Sequence, residues 1–124
     1  MTSGKLRINI IEASLKRDTE TFGKMDPYVI INTRNQRIRT KTANNQGKKP
    51  KWNEAVDIDV KYVGDDLYIQ IFDEDVTSSD LVGESQVKIS SLCVGTGLDE
   101  WFDVSYKGKY AGKLHVSSEW QPTG

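Results

Sequence analysis

The chain has 124 residues, 36% hydrophobic and 28% charged, with 17 Lys plus Arg against 18 Asp plus Glu. That is enough for one domain with a real core and too little for two. The formal net charge of −1 gives no basis for a nucleic-acid partner, no run approaches the roughly eighteen apolar residues of a membrane span, and the single cysteine, Cys93, excludes an internal disulfide and points to a reducing, cytoplasmic setting.

Strand patterns run the length of the sequence. Leu6, Ile8 and Ile10 alternate with Lys5, Arg7 and Asn9, the period of two of a half-buried strand. Residues 28–33 and 37–42 are β-rich and bounded by turn residues. Val56, Ile58 and Val60 then alternate with Asp57, Asp59 and Lys61, and Leu67, Ile69 and Ile71 with Tyr68, Gln70 and Phe72. Short strands are predicted over 86–89 and 101–104, and Leu114, Val116 and Ser118 alternate with Lys113, His115, Ser117 and Glu119. The separators carry Gly, Asn, Asp and Pro, and no stretch of about ten residues keeps a helical period. These signals predict an all-β chain: an eight-stranded antiparallel β-sandwich over residues 4–120, with loose ends at 1–3 and 121–124.

The balanced charge hides a segregation. Residues 27–53 hold seven Lys and Arg and no acid, whereas residues 54–84 hold ten Asp and Glu against Lys61 alone. Asp73, Glu74 and Asp75 directly follow a predicted strand; residues two apart at a strand end project to one side, so Asp73 and Asp75 aim at one volume, with Asp80 close behind. The connection before Tyr28 holds Asp18, Glu20 and Asp26. Converging carboxylates repel, and are relieved by protonation or by a cation. Hard oxygen ligands on loops without His or Cys favour calcium over zinc. Asp73, Asp75, Thr77, Ser79 and Glu84 match the ligand spacing of an EF-hand loop, but Ser78 stands where that turn needs Gly, and a strand precedes it instead of a helix.

Four stretches together carry a family likeness: residues 4–13 as an opening strand, Gly23-Lys24-Met25-Asp26-Pro27-Tyr28-Val29, Lys49-Pro50-Lys51-Trp52-Asn53-Glu54, and Phe72-Asp73-Glu74-Asp75 followed by Leu81-Val82-Gly83-Glu84. In this combination the sequence resembles the C2 domain family over nearly its whole length. The resemblance implies a C2 sandwich with the permuted connectivity of the phospholipase type. It also implies a calcium site built by the first and third loops, with Asp26, Asp73 and Asp75 as ligands, joined by Asp18, Glu20 and Asp80 and by the backbone carbonyls of Met25 and Glu74. Two departures stand out: Glu20 occupies a position usually Asp, and the third loop is one residue shorter than in many calcium-binding members. Asn44 or Asn45 of the middle loop could add an amide oxygen.

Function follows from the same likeness: calcium-dependent binding to anionic phospholipid, with Phe22, Lys24 and Val76 at the membrane contact and recruitment from the cytoplasm when calcium rises. Arg37, Arg39 and Lys41, with Tyr28, match a basic strand face that takes phosphoinositide headgroups in the family. A calcium-independent protein or phosphoinositide module using that face is the competing reading. Catalysis is not expected. His115 is the single histidine, nothing local sets it beside Cys93, and neither a Gly-x-Ser-x-Gly elbow nor a zinc-ligand spacing occurs.

Overall fold

The computed structural model describes residues 3–123. Eight strands follow in order: β1 (Gly4–Leu15), β2 (Pro27–Asn32), β3 (Arg37–Arg39), β4 (Lys51–Val60), β5 (Asp66–Glu74), β6 (Ser79–Lys88), β7 (Asp99–Tyr106) and β8 (Lys109–Pro122), with a 3₁₀ turn at Ile89–Leu92. All pairings are antiparallel, in the spatial order β3-β2-β5-β6-β7-β8-β1-β4. A single residue pair, Glu84 with Ser105, joins β6 to β7. Two four-stranded leaves therefore close on each other in a nearly closed sandwich, and the inward residues of both form one core that includes Leu6, Ile8, Ile10, Val29, Ile31, Ile58, Ile69, Ile71, Leu114 and Val116.

The strands run longer than their alternation predicts, and irregularities account for much of the difference. In β1 the register shifts between Ile10 and Glu12. The inserted residue re-phases the strand, so Ala13 and Leu15 are buried while Glu12 turns outward. A second shift lies between β5 and β6, where Ile71 pairs with Gly83 and Phe72 with Leu81. A Cβ at Gly83 would lie 2.4 Å from Val104 Cγ1, so the crossing from β6 to β7 requires glycine. By contrast the basic strand predicted over 37–42 is regular only for Arg37, Ile38 and Arg39, which pair with β2; Thr40, just beyond, still holds to β2, its N–H donating to the Val29 carbonyl at 2.9 Å and its hydroxyl accepting the Val29 N–H at 2.9 Å. Ile89, predicted as a strand end, starts the 3₁₀ turn instead. At the C-terminal end, Gln121 and Pro122 are not a loose tail but the last residues of β8, paired with Lys5 and Gly4. The Thr123 N–H extends that ladder to the Ser3 carbonyl at 3.1 Å. The expectations for residues 1, 2 and 124 fall outside the described residues.

β1 and β5 end, and β2, β4 and β6 begin, at one pole of the sandwich. Three loops meet there: loop 1 (residues 16–26), loop 2 (residues 40–50) and loop 3 (residues 75–78). Two acidic segments about fifty positions apart in sequence are thereby brought side by side, since Pro27 pairs with Asp73 across β2 and β5.

Candidate metal centre

Asp73 continues the inward alternation of Leu67, Ile69 and Ile71, so its carboxylate points into the protein and is 0% exposed. A buried carboxylate must be satisfied by donors, and loop 1 supplies two. The Thr19 hydroxyl donates to Asp73 Oδ2 at 2.7 Å, and the Asp26 N–H donates to Oδ1 at 2.8 Å. Asp26 extends the connection: its Oδ1 accepts from the Asn45 N–H of loop 2 at 2.6 Å, and its carbonyl accepts from the Glu74 N–H at 2.9 Å. Buried Met25 anchors the same turn, its carbonyl accepting from the Gly47 N–H at 3.0 Å and its sulfur lying 3.5 Å from the Thr19 nitrogen.

This frame leaves three other carboxylates facing one another. Glu20, Asp75 and Asp80 each place an oxygen such that all three lie within 4.8 Å of one another. Ligands of one calcium ion, bound at about 2.3–2.6 Å, lie no more than about 5 Å apart, so the spacing suits that ion. Like-charge crowding is visible in the protonation behaviour. A hydrogen bond to Asp73 and its repulsion, followed by burial and the charges of Asp75 and Asp26, push the Glu20 carboxyl up to about 7. Asp75 is also raised, first by burial and then by its hydrogen bond to Asp80 and the nearby charges of Asp73, Asp80 and Asp26. In Glu20 and Asp75 the crowding of carboxylates is thus relieved by holding protons, and a cation among the same oxygens would relieve it equally.

Asp18 stands apart from these three. Its Oδ1 accepts the Glu20 N–H at 2.9 Å, closing a local turn that sets the Glu20 backbone. Glu74 sends its side chain away from the cluster to an ion pair with Arg39. Beside it lies an open cleft of about 540 Å³ lined by Asp26 and residues 74–79. Loop 1 carries Phe22 at its tip, 88% exposed, beside exposed Lys24; Val76 of loop 3 is fully exposed.

The basic strand face differs from the expectation. Tyr28 is buried, stacked on Phe72 with ring centroids 5.6 Å apart, and its hydroxyl donates to Ser79 Oγ at 2.9 Å. The Arg39 guanidinium lies 3.7 Å from the Tyr28 ring centroid, donates to Thr42 Oγ1 at 3.0 Å and is neutralised by Glu74. Only Arg37 and Lys41 of that group are exposed without an ion-pair partner among the described residues. His115 is held on both nitrogens, by Asp99 at 2.6 Å and Glu12 at 3.1 Å, and stacks on Trp101. Cys93 is half-buried and its thiol is pushed up to about 11 by burial, so it is not a nucleophile at neutral pH.

Sequence reasoning missed two contributors to the frame. Thr19, between two acids, is a hydroxyl donor of the kind that a buried carboxylate needs. Asn45 acts through its backbone N–H at a positive φ of 60°, not through the amide oxygen considered for it; an Asn-Asn pair signals such a turn and nothing more.

Known proteins share this sequence pattern and architecture. The family model described as "C2 domain" matches residues 4–104. Extended synaptotagmin-2 of Mus musculus is 36% identical over 94% of this chain, which spans only 14% of that protein's length. Elicitor-responsive protein 3 of Oryza sativa subsp. japonica is 27% identical, covering 98% of this chain and 86% of that protein. The solved pair of C2 domains from extended synaptotagmin 2, calcium bound, superposes with a TM-score of 0.82 at 35% identity, covering 97% of this chain and 46% of that one. Sequence match, sandwich and acidic pole agree: the chain belongs to the C2 domain family.

Proposed function

We propose that this C2 domain is a calcium-dependent module that binds anionic phospholipid membranes through loops 1 and 3, cytoplasmic at rest and recruited peripherally as calcium rises. The observation that carries the reading is the convergence of Glu20, Asp75 and Asp80 from separate segments onto one volume within 4.8 Å. Contact with Asp73, with the charges of Asp75 and Asp26 behind it, pushes Glu20 up to about 7, and the solved relative in the calcium-bound state has the same fold. Glu20, Asp75 and Asp80 would hold the ion directly, with Asp26 and Asp73 beside them; Asp18, Met25 and Glu74 would support the loop backbone. When bound, calcium would supply positive charge and open coordination positions for phosphate or carboxylate oxygens of lipid.

The remaining work falls to the chain's own residues. Asp73 keeps loop 1 registered on β5, so the three facing carboxylates are set before any ion arrives. Without an ion, the acidic pole repels an anionic bilayer. Exposed Lys16, Lys24, Lys48 and Lys49 surround it and are attracted to such a surface over about a Debye length. Phe22 and Val76 are apolar groups left in water at the loop tips, each worth about 1–2 kcal/mol if buried in an interface. The competing reading, a calcium-independent module on the basic strand, is weakened by the Glu74 partner of Arg39. No helix among the described residues is long and apolar enough to cross a membrane.

Cosedimentation with phosphatidylserine vesicles tests the function. The chain is expected in the pellet with calcium and in the supernatant with chelator; sedimentation in chelator would support the basic-strand reading, and none in either would reject membrane binding.

The carboxylates divide by role under mutation. Asp75→Asn with Asp80→Asn should abolish the calcium-induced rise in Tm that ligand linkage requires, without lowering the metal-free Tm. Asp73→Asn should destabilise the metal-free protein by about 1–3 kcal/mol, because Thr19 and the Asp26 N–H donate to different carboxylate oxygens and an amide replaces one of those with an NH2 donor. A calcium-induced rise that survives in the double variant would contradict the ligand assignment.

Protonation gives a third test. The folded protein holds the Glu20 proton more tightly than an unfolded carboxylate near 4.5 does, so the metal-free protein loses stability as pH rises from there through about 7. Calcium must displace that proton, and calorimetric affinity should rise from pH 6 to pH 8. Glu20→Gln should flatten both dependences; a wild-type affinity unchanged across that range would argue against Glu20 as a ligand.

A further inference from the structure

The hairpin joining β7 to β8 turns at the same pole as the acidic loops. Its two turn residues, Lys107 and Gly108, both have positive φ, 50° and 79°, between the paired Tyr106 and Lys109. Two successive left-handed residues make the tight turn whose twist suits a hairpin, and Asn-Gly or Asp-Gly is its ordinary sequence. Lysine in the first position is a backbone outlier, and such outliers concentrate where position serves function.

The tip is fastened to the acidic loops. The N–H groups of Lys16 and Arg17 donate to the Ala111 carbonyl at 2.7 and 3.3 Å. The Arg17 guanidinium lies 3.6 Å from the Tyr106 ring centroid, and its Nη2 donates to the carbonyl of Leu81, the residue after Asp80, at 3.4 Å. Arg17 is thus spent as a tie between loop 1, β6 and the hairpin. Lys16, Lys107 and Lys109, in contrast, are exposed and have no ion-pair partner among the described residues. Tyr110 adds an exposed aromatic ring, 53% accessible.

We propose that this hairpin tip is a second membrane-contact element, in which Lys16, Lys107 and Lys109 meet the anionic headgroups of a bilayer and Tyr110 lies at headgroup level. The proposal rests on the reading of this pole as membrane-facing. Charge complementarity selects the partner: three ammonium groups with no carboxylate partner among the described residues, that of Lys107 lying 5.3 Å from the Tyr106 ring centroid, on a short, hydrogen-bonded support suit a diffuse anionic surface better than a single bidentate ligand. A tyrosine with an apolar body and a polar tip suits the interfacial layer. Each lysine near such a surface is worth about fivefold in affinity at moderate salt.

The test uses the full chain and vesicles of phosphatidylserine and phosphatidylcholine in calcium. Lys107→Gln with Lys109→Gln should weaken binding by about ten- to thirtyfold at low ionic strength, with the gap closing as salt is added. Calcium affinity without vesicles and the Tm should stay at the wild-type values. Lys5→Gln with Lys61→Gln makes the same charge change at the far end of the sandwich and should leave binding within about twofold. Wild-type binding by the hairpin variant, or an equal loss in both variants, overturns the second contact alone. Failure of the wild-type chain to bind vesicles in calcium overturns it together with the parent reading.

Discussion

The pole of this domain is organised around one buried carboxylate. Asp73 lies at the end of a strand whose other inward residues are Leu67, Ile69 and Ile71, and so occupies a place where a charge would ordinarily be excluded. It is tolerated because Thr19 and the Asp26 N–H satisfy it, and those two donors bracket loop 1. Through Asp26 the same network reaches Asn45 in loop 2 and the Glu74 N–H at the entry to loop 3. Loops that would otherwise diverge are thereby held close enough for their remaining acids to repel. The crowding of Glu20 with Asp75 and Asp80 is a consequence of that anchoring.

Holding like charges together costs stability that the core must supply. Here the two sheets bury an almost continuous set of Ile, Leu and Val from every strand but the short β3, and the like-charge crowding is confined to one end, in loops 1 and 3 and at the adjoining ends of β5 and β6. This division suits a binding module: the sandwich stays fixed, while charge at one end is open to compensation from solution. Arg39 and Glu74 mark the boundary, since their ion pair draws the Glu74 carboxylate out of the cluster and onto the neighbouring strand face.

Much of this is legible in the sequence. Alternation locates the strands because one face of each is buried, and the family motifs identify the loops that carry acids. What alternation cannot carry is its own interruption. The register shift after Ile10, which turns Glu12 outward towards His115, has no residue signature. Extending the pattern one step beyond Ile71 puts Asp73 on the core side, but a carboxylate there reads as solvent-facing until its donors are known. Arg39 reads as a free cation because Glu74, thirty-five positions away, gives no local sign of reaching it. Lys107 and Lys109 carry no signal of their own, because their significance lies in where the hairpin ends, a property of topology.

A carboxylate frame fixes the loops, the loops gather repelling acids, and exposed lysines and apolar tips ring the gathering. A crystal structure of the chain grown with calcium examines this most directly. Metal density is expected between loops 1 and 3, ligated by oxygens of Glu20, Asp75 and Asp80 with the Thr19–Asp73–Asp26 bonds intact. An acidic pole free of metal at saturating calcium, or an ion held elsewhere on the chain, would contradict this arrangement.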